Sequence, residues 1–297
     1  SLVGSEMCIR DSINIEGGTI TAEGGGKENG SCQASGAGIG SGGNALNKTT
    51  INIKGGEITA TGGVSLDSRN HSDKWLSGAG IGSGSNVSGE TEINISGDST
   101  IKSASGGKYG GAGIGSGSYS GSTPDNKKGA VTINITDGTI EKATGGGEYV
   151  PSSKRWYSGA GIGAGLNAGT TTINIKDNAH IVSATGGKYG GAGIGSGSGD
   201  TKNDSKKGAV TINITDGTIE KAEGKDGGAG IGSGYYGRSS TVNISGNAEL
   251  KDVKGGNLAA GIGSGYDSGK VDVVIDGGSI NATGGDSAAG IGSGHNS

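Results

Sequence analysis

TINIKGGEITATGG, residues 50–63, decides the fold, and GAGIGSG, residues 78–84, completes the unit that it begins. Side chains alternate along Thr50-Ile-Asn-Ile53, so Ile51 and Ile53 fall on one face and Thr50 and Asn52 on the other. Three β-branched residues in four favour a strand over a helix. After Gly55-Gly56 the alternation resumes, with Ile58 and Ala60 on the inner face and Thr59 and Thr61 on the outer. Each unit therefore reads strand, tight turn, strand, Gly-Gly corner, third strand, loop.

Both phrases recur along the chain. The heptad begins at Gly36, Gly78, Gly111, Gly159 (as GAGIGAG), Gly191 and Gly228, then as AAGIGSG at Ala259 and Ala288. The strand phrase begins at Ile13, Ile51, Ile93, Ile133, Ile173, Ile212, Val242 and Val273. The two central turn positions of all eight units hold only Gly, Asp or Asn, the residues that tolerate positive φ. Three strands per unit imply a coil with three faces, and equivalent isoleucines of successive coils then stack into interior columns. The expected architecture is all-β: a right-handed parallel β-helix of about eight coils with three short strands each. At ~4.8 Å per coil the rod is roughly 35–40 Å long.

Composition agrees with a thin interior. The 297 residues include 71 Gly, 2 Pro and no Phe, so narrow β-branched columns must replace a thick aromatic core. Within the heptad, Ala112 and Ile114 are expected inward, which leaves the glycines as a flat outer strip with accessible backbone. A net charge of −4 gives no electrostatic case for nucleic acid, and no run reaches the ~18 apolar residues that span a bilayer. Cys8 and Cys32 occupy no recurring position, which argues against a disulfide framework.

Residues 1–12 read differently from the rest. Leu2 to Asp11 matches the translation of a sequencing-library transposase adapter, so this segment is expected to be non-native. Residues 13–297 are expected to form a single β-helix domain, a fragment of a longer protein truncated at both ends, with anchoring domains outside it.

The variable inserts carry the chemistry. Val64–Ser77 and Glu148–Ser158 precede the heptad in coils two and four, and Ser118–Ala130 and Ser198–Ala209 follow it in coils three and five. KYGGAGIGSGS recurs in coils three and five, which marks a two-coil duplication of about 80 residues. The only tryptophans, Trp75 in SDKWLSG and Trp156 in SKRWYSG, lie in the first pair of inserts, beside Tyr157 and the cations Lys74, Lys154 and Arg155. Aromatic rings at a solenoid edge suit stacking on sugars; the alternative is that each Trp folds back as a lid over its loop. Tyr109 and Tyr189 in GGKYGG form a second candidate pair.

Other patterns point to structure rather than chemistry. An outward asparagine column (Asn14, Asn52, Asn94, Asn134, Asn174, Asn213, Asn243) fits amides bonded along the axis. The neighbouring Thr column is broken by Glu92 and Asp272, which argues against ice binding. Asp137, Asp177 and Asp216 share a turn column, but each stands where other coils have Gly, so turn geometry explains them better than Ca²⁺; no metal and no cofactor is expected. His71, His180 and His295 fall at unrelated positions and no paired carboxylates appear, so no catalytic residue is assigned and no enzyme is expected.

The GAGIGSG and TINIxGGTITATGG phrases together resemble the Gly-rich repeat modules of large cell-surface and secreted proteins of anaerobic, often gut-dwelling, bacteria. That resemblance implies an extracellular or cell-surface carbohydrate-binding or adhesin-type β-helix whose partner is a polysaccharide or a host or matrix glycan. The long Trp-bearing inserts depart from the pattern. Alternatives are a passive stalk that displays other domains, and a fragment of a polysaccharide lyase- or hydrolase-like β-helix.

Overall fold

A computed structural model describes residues 11–26, 34–67, 74–119, 127–151, 155–199 and 209–297. Cys8, Cys32, His71 and Lys154 lie outside the described residues, as does the adapter-like segment up to residue 10.

The chain is a parallel β-helix of eight coils. First-face strands such as Thr49–Ile53, Thr91–Ile95 and Val131–Ile135 pair in parallel with their equivalents in the next coil. The register is strict: Ile13, Ile51, Ile93, Ile133, Ile173, Ile212, Val242 and Val273 face one another in sequence. The third face is shorter than the heptad suggests. Only its Ile-Gly pairs form ladder contacts, making an eight-stranded sheet of two-residue strands from Ile39–Gly40 to Ile291–Gly292. Interior isoleucines of the middle coils are fully buried, whereas Ile275 and Ile291 of the eighth coil are 42% and 46% exposed. A column residue is buried by the coil above and the coil below, and a terminal coil has only one of these.

The turns refine the expectation. Of each pair of central positions, coils one, two, four and six use positive φ at the second (Gly18, Gly56, Gly138, Gly217). Coils three, five and seven use the first (Gly97, Asp177, Gly246), and these are the coils whose turn is one residue longer. A second irregularity is absent from the sequence reading. In coils three to seven an extra residue separates the second-face pair, as in Ile101-Lys-Ser-Ala104 against Ile58-Thr-Ala60, and the ladder shifts register there. At the extra positions Lys102 meets Glu141 at 2.6 Å and Lys251 meets Glu220 at 2.9 Å, on either side of Val182 in coil five.

The expected outer glycine strip is overturned: residues 111–117 are all buried. A Cβ on Gly113 would lie 2.6 Å from the Gly161 carbonyl oxygen and 2.6 Å from the Thr144 nitrogen. The heptad is pressed against the backbone ending the second face of its own coil and the next, and only glycine permits that approach. The heptad serine has a related role. The Gly84, Gly117, Gly165 and Gly234 N–H groups donate to Ser41, Ser83, Ser116 and Ser196 Oγ of the preceding coil at 2.8–3.2 Å.

Asparagine amides form the expected axial ladder. Six bonds of 2.8–2.9 Å run from Asn52 Nδ2 donating to Asn14 Oδ1 up to Asn243 Nδ2 donating to Asn213 Oδ1. Asn134 sits mid-ladder, with one bond donated and one accepted. Asn134→Ala should therefore cost about 1–2 kcal/mol in chemical denaturation. Unchanged stability would make the ladder a by-product of coil stacking.

Candidate functional site

The inserts of coils two and four fold as antiparallel hairpins on one edge of the rod. Val64–Asp67 pairs with Lys74–Ser77, and Gly147–Val150 with Arg155–Ser158. Their registers place Leu66 opposite Trp75 and Tyr149 opposite Trp156. Each tryptophan then meets the KYGG tyrosine of the following coil, Trp75 with Tyr109 and Trp156 with Tyr189, at 4.5 Å between ring centroids in both cases. The lysine before each tyrosine lies over its ring, Lys108 at 5.0 Å and Lys188 at 5.1 Å. The two-coil duplication thus survives as a repeated Trp–Tyr–Lys arrangement.

The two copies differ in what covers them. Tyr109 is 5% exposed and Tyr157 6% exposed; together with Val150 and Leu166 they form a small second core, against which Val64 and Trp75 pack. Tyr157 approaches Tyr109 edge-on at 6.1 Å. These rings face the protein, so Tyr109 and Tyr157 offer no open face to a ligand, and Trp75 packs against the same cluster. The second copy is open. Trp156 is 44% exposed and stands between Tyr149, 4.2 Å away, and Tyr189, both half-buried. Arg155 is exposed on the same hairpin. Partial desolvation raises the Asp226 carboxyl above the ordinary range, while the charges of Lys188 and Lys225 pull it down.

The cause of the difference lies one coil further on. The hairpin of coil four closes over Tyr109, whereas coil six passes from its second face to its heptad through Gly224–Gly228 with no insert. Tyr149 and Trp156 therefore remain uncovered and form, with Tyr189, an aromatic cradle with a cation at its side. Tyr149 was missed from sequence, although its place opposite Trp156 follows once the insert is read as a hairpin.

A second aromatic group was also missed. Tyr235, Tyr266 and His295 each follow the last heptad glycine of coils six, seven and eight. Their rings stack in register, 5.2 Å apart at 6° and 5.6 Å apart at 7°. His295 is thus not at an unrelated position: it continues a tyrosine column. Tyr236 packs on Tyr235 at 4.2 Å, and burial raises the Tyr235 hydroxyl pKa.

Of the turn-column acids, Asp177 and Asp216 line an open cleft of about 600 Å³ with His180, Asn247 and Glu249. Acids of the column bond across coils: Asp137 Oδ1 accepts from Asn178 Nδ2 at 3.1 Å, and Asp216 Oδ1 from the Asn247 N–H at 2.9 Å. Among the described residues no group of three or more His, Cys, Asp or Glu is arranged to hold a metal ion, and no helix is long and apolar enough to cross a membrane.

A family model described as a beta helix repeat matches residues 13–43, 51–85, 93–118, 133–166, 212–235 and 273–295, more than half of the chain. No curated protein and no solved structure matches it.

Proposed function

Because the chain belongs to the beta helix repeat family, we propose that it is a non-catalytic extracellular module of a bacterial surface protein that binds carbohydrate at the cradle of Tyr149, Trp156 and Tyr189. The observation that carries this reading is the exposure of Trp156 between two tyrosines, beside Lys188. Exposed indole is costly in water and stacks well on the apolar face of a sugar ring. Lys188, over the Tyr189 ring, adds a charge-assisted partner for hydroxyl groups. The rigid coil stack fixes their spacing, so little side-chain ordering is left for the binding step.

Native gel electrophoresis through xylan, mixed-linkage β-glucan or polygalacturonate tests it. The protein should be retarded by at least one polysaccharide. Trp156→Ala should lose most of that retardation, about tenfold or more in affinity, while keeping its thermal midpoint. Trp75→Phe, in the closed copy, should bind as the parent does. Retardation unaltered by Trp156→Ala would remove the cradle from the function, and no retardation in any gel would favour a display stalk.

A further inference from the structure

We propose that the binding edge does not stop at the cradle: Tyr235, Tyr236, Tyr266 and His295 form a second subsite, and the ligand is a polysaccharide chain lying along the rod axis over coils four to eight. This rests on the carbohydrate reading above and extends it to the length and direction of the ligand.

Three observations carry the inference. The first is position. The Tyr235 N–H donates to the Gly190 carbonyl at 2.7 Å, one residue after Tyr189, so the second group begins on the coil next to the end of the cradle. The Tyr266 N–H repeats the bond one coil on, to Gly227 at 2.8 Å. Aromatic groups thus follow one another along a single edge, at a spacing set by the coil rise.

The second is exposure. The column after the heptad holds Gly43, Ser85, Ser118, Leu166 and Ser198 in coils one to five, and Leu166 is buried beneath the hairpin cluster. It becomes aromatic only in coils six to eight, where the connections into the heptad are short and Tyr235, Tyr266 and His295 are half-exposed. Large rings appear where no hairpin covers them. A column serving packing alone would place them under the hairpins instead.

The third is strain. The next position along is left-handed in six coils: Asn44, Asn86, Asn167, Asp267 and Asn296 take it readily, and Tyr236 takes it at φ 48°. Asn and Asp tolerate this conformation through local hydrogen bonding, and a bulky ring does not. The coil accepts an unfavourable residue and gains a second ring beside Tyr235. Persistent strain of this kind concentrates at binding sites.

A chain that engages both groups binds more tightly than a fragment that engages one, because the second contact is intramolecular. The experiment uses the full chain and whichever of the three polysaccharides retards it, intact and as its short-chain hydrolysate. Intact polymer should bind at least tenfold more tightly than the short fragments. Tyr266→Leu, which keeps an apolar side chain in the column, should weaken the intact polymer several-fold and leave fragment affinity unchanged. Tyr236→Asn places there the residue that four other coils use; it should raise or hold the thermal midpoint while also weakening the intact polymer. If Trp156→Ala abolishes binding but Tyr266→Leu and Tyr236→Asn bind the intact polymer as the parent does, the second subsite is wrong and the cradle stands. If the parent binds none of the three, both fall.

Discussion

Gly115→Ala is expected to destabilise the rod by at least about 3 kcal/mol. Gly115 has φ 139°, a conformation that side chains rarely adopt, and an added Cβ would overlap the carbonyl oxygen of Gly163 on the next coil. That oxygen has little freedom to retreat: it accepts from the Ser116 N–H at 3.1 Å, and Gly163 pairs onward with Gly195. Conformational strain and steric overlap therefore add. Gly42 is the natural control, since a Cβ there meets nothing within 4 Å and φ is not positive. Gly42→Ala should lie within about 0.5 kcal/mol of the parent. Urea denaturation of the two variants separates a backbone requirement at Ile-Gly from a general preference for glycine. Equal effects would contradict the close coil packing.

Ile133→Ala should cost about 2–5 kcal/mol. Ile133 is fully buried in the fourth coil, between Ile93 and Ile173 of the coils on either side. Truncation leaves a gap that those neighbours cannot fill without losing their own ladder register. The position adds a second consequence. Stability in a solenoid resides in nearest-neighbour interfaces, so a weakened central coil uncouples the two halves and the transition should broaden or split. Leu46, 77% exposed, provides the comparison, and Leu46→Ala should change little. A single sharp transition for Ile133→Ala at the parent's midpoint would show that the isoleucine columns do not hold the coils together.

Much of this architecture is legible in the sequence because the physical signals repeat. The alternation of Ile51 and Ile53 with Thr50 and Asn52 recurs with polar replacements in coils one to seven, and each turn pair is limited to residues that tolerate positive φ. The bulge in coils three to seven is equally legible, as Ile and Ala (Leu250 and Val253 in coil seven) three residues apart instead of two. The heptad misled for a different reason. Alternation correctly turns Ile114 into the core, but whether the glycines around it face solvent or neighbouring backbone depends on how sharply the corner folds, and strand periodicity does not contain that. The site was legible only in part. Sequence equivalence pairs Trp75 with Trp156, yet the first is packed and the second open because coil four carries a hairpin where coil six does not. Burial in a solenoid is a property of the next coil, so two identical motifs can have opposite fates. Tyr235, Tyr266 and His295 were hidden because each lies one residue beyond the motif that drew attention.

The most direct measurement is the emission of Trp156 alone, in the Trp75→Phe protein, titrated with the polysaccharide that retards it. A saturable spectral shift, at the concentration that gives half-maximal retardation, is the predicted result. Binding that leaves the emission of this exposed indole unchanged would contradict the account, since the ligand would then lie elsewhere on the rod.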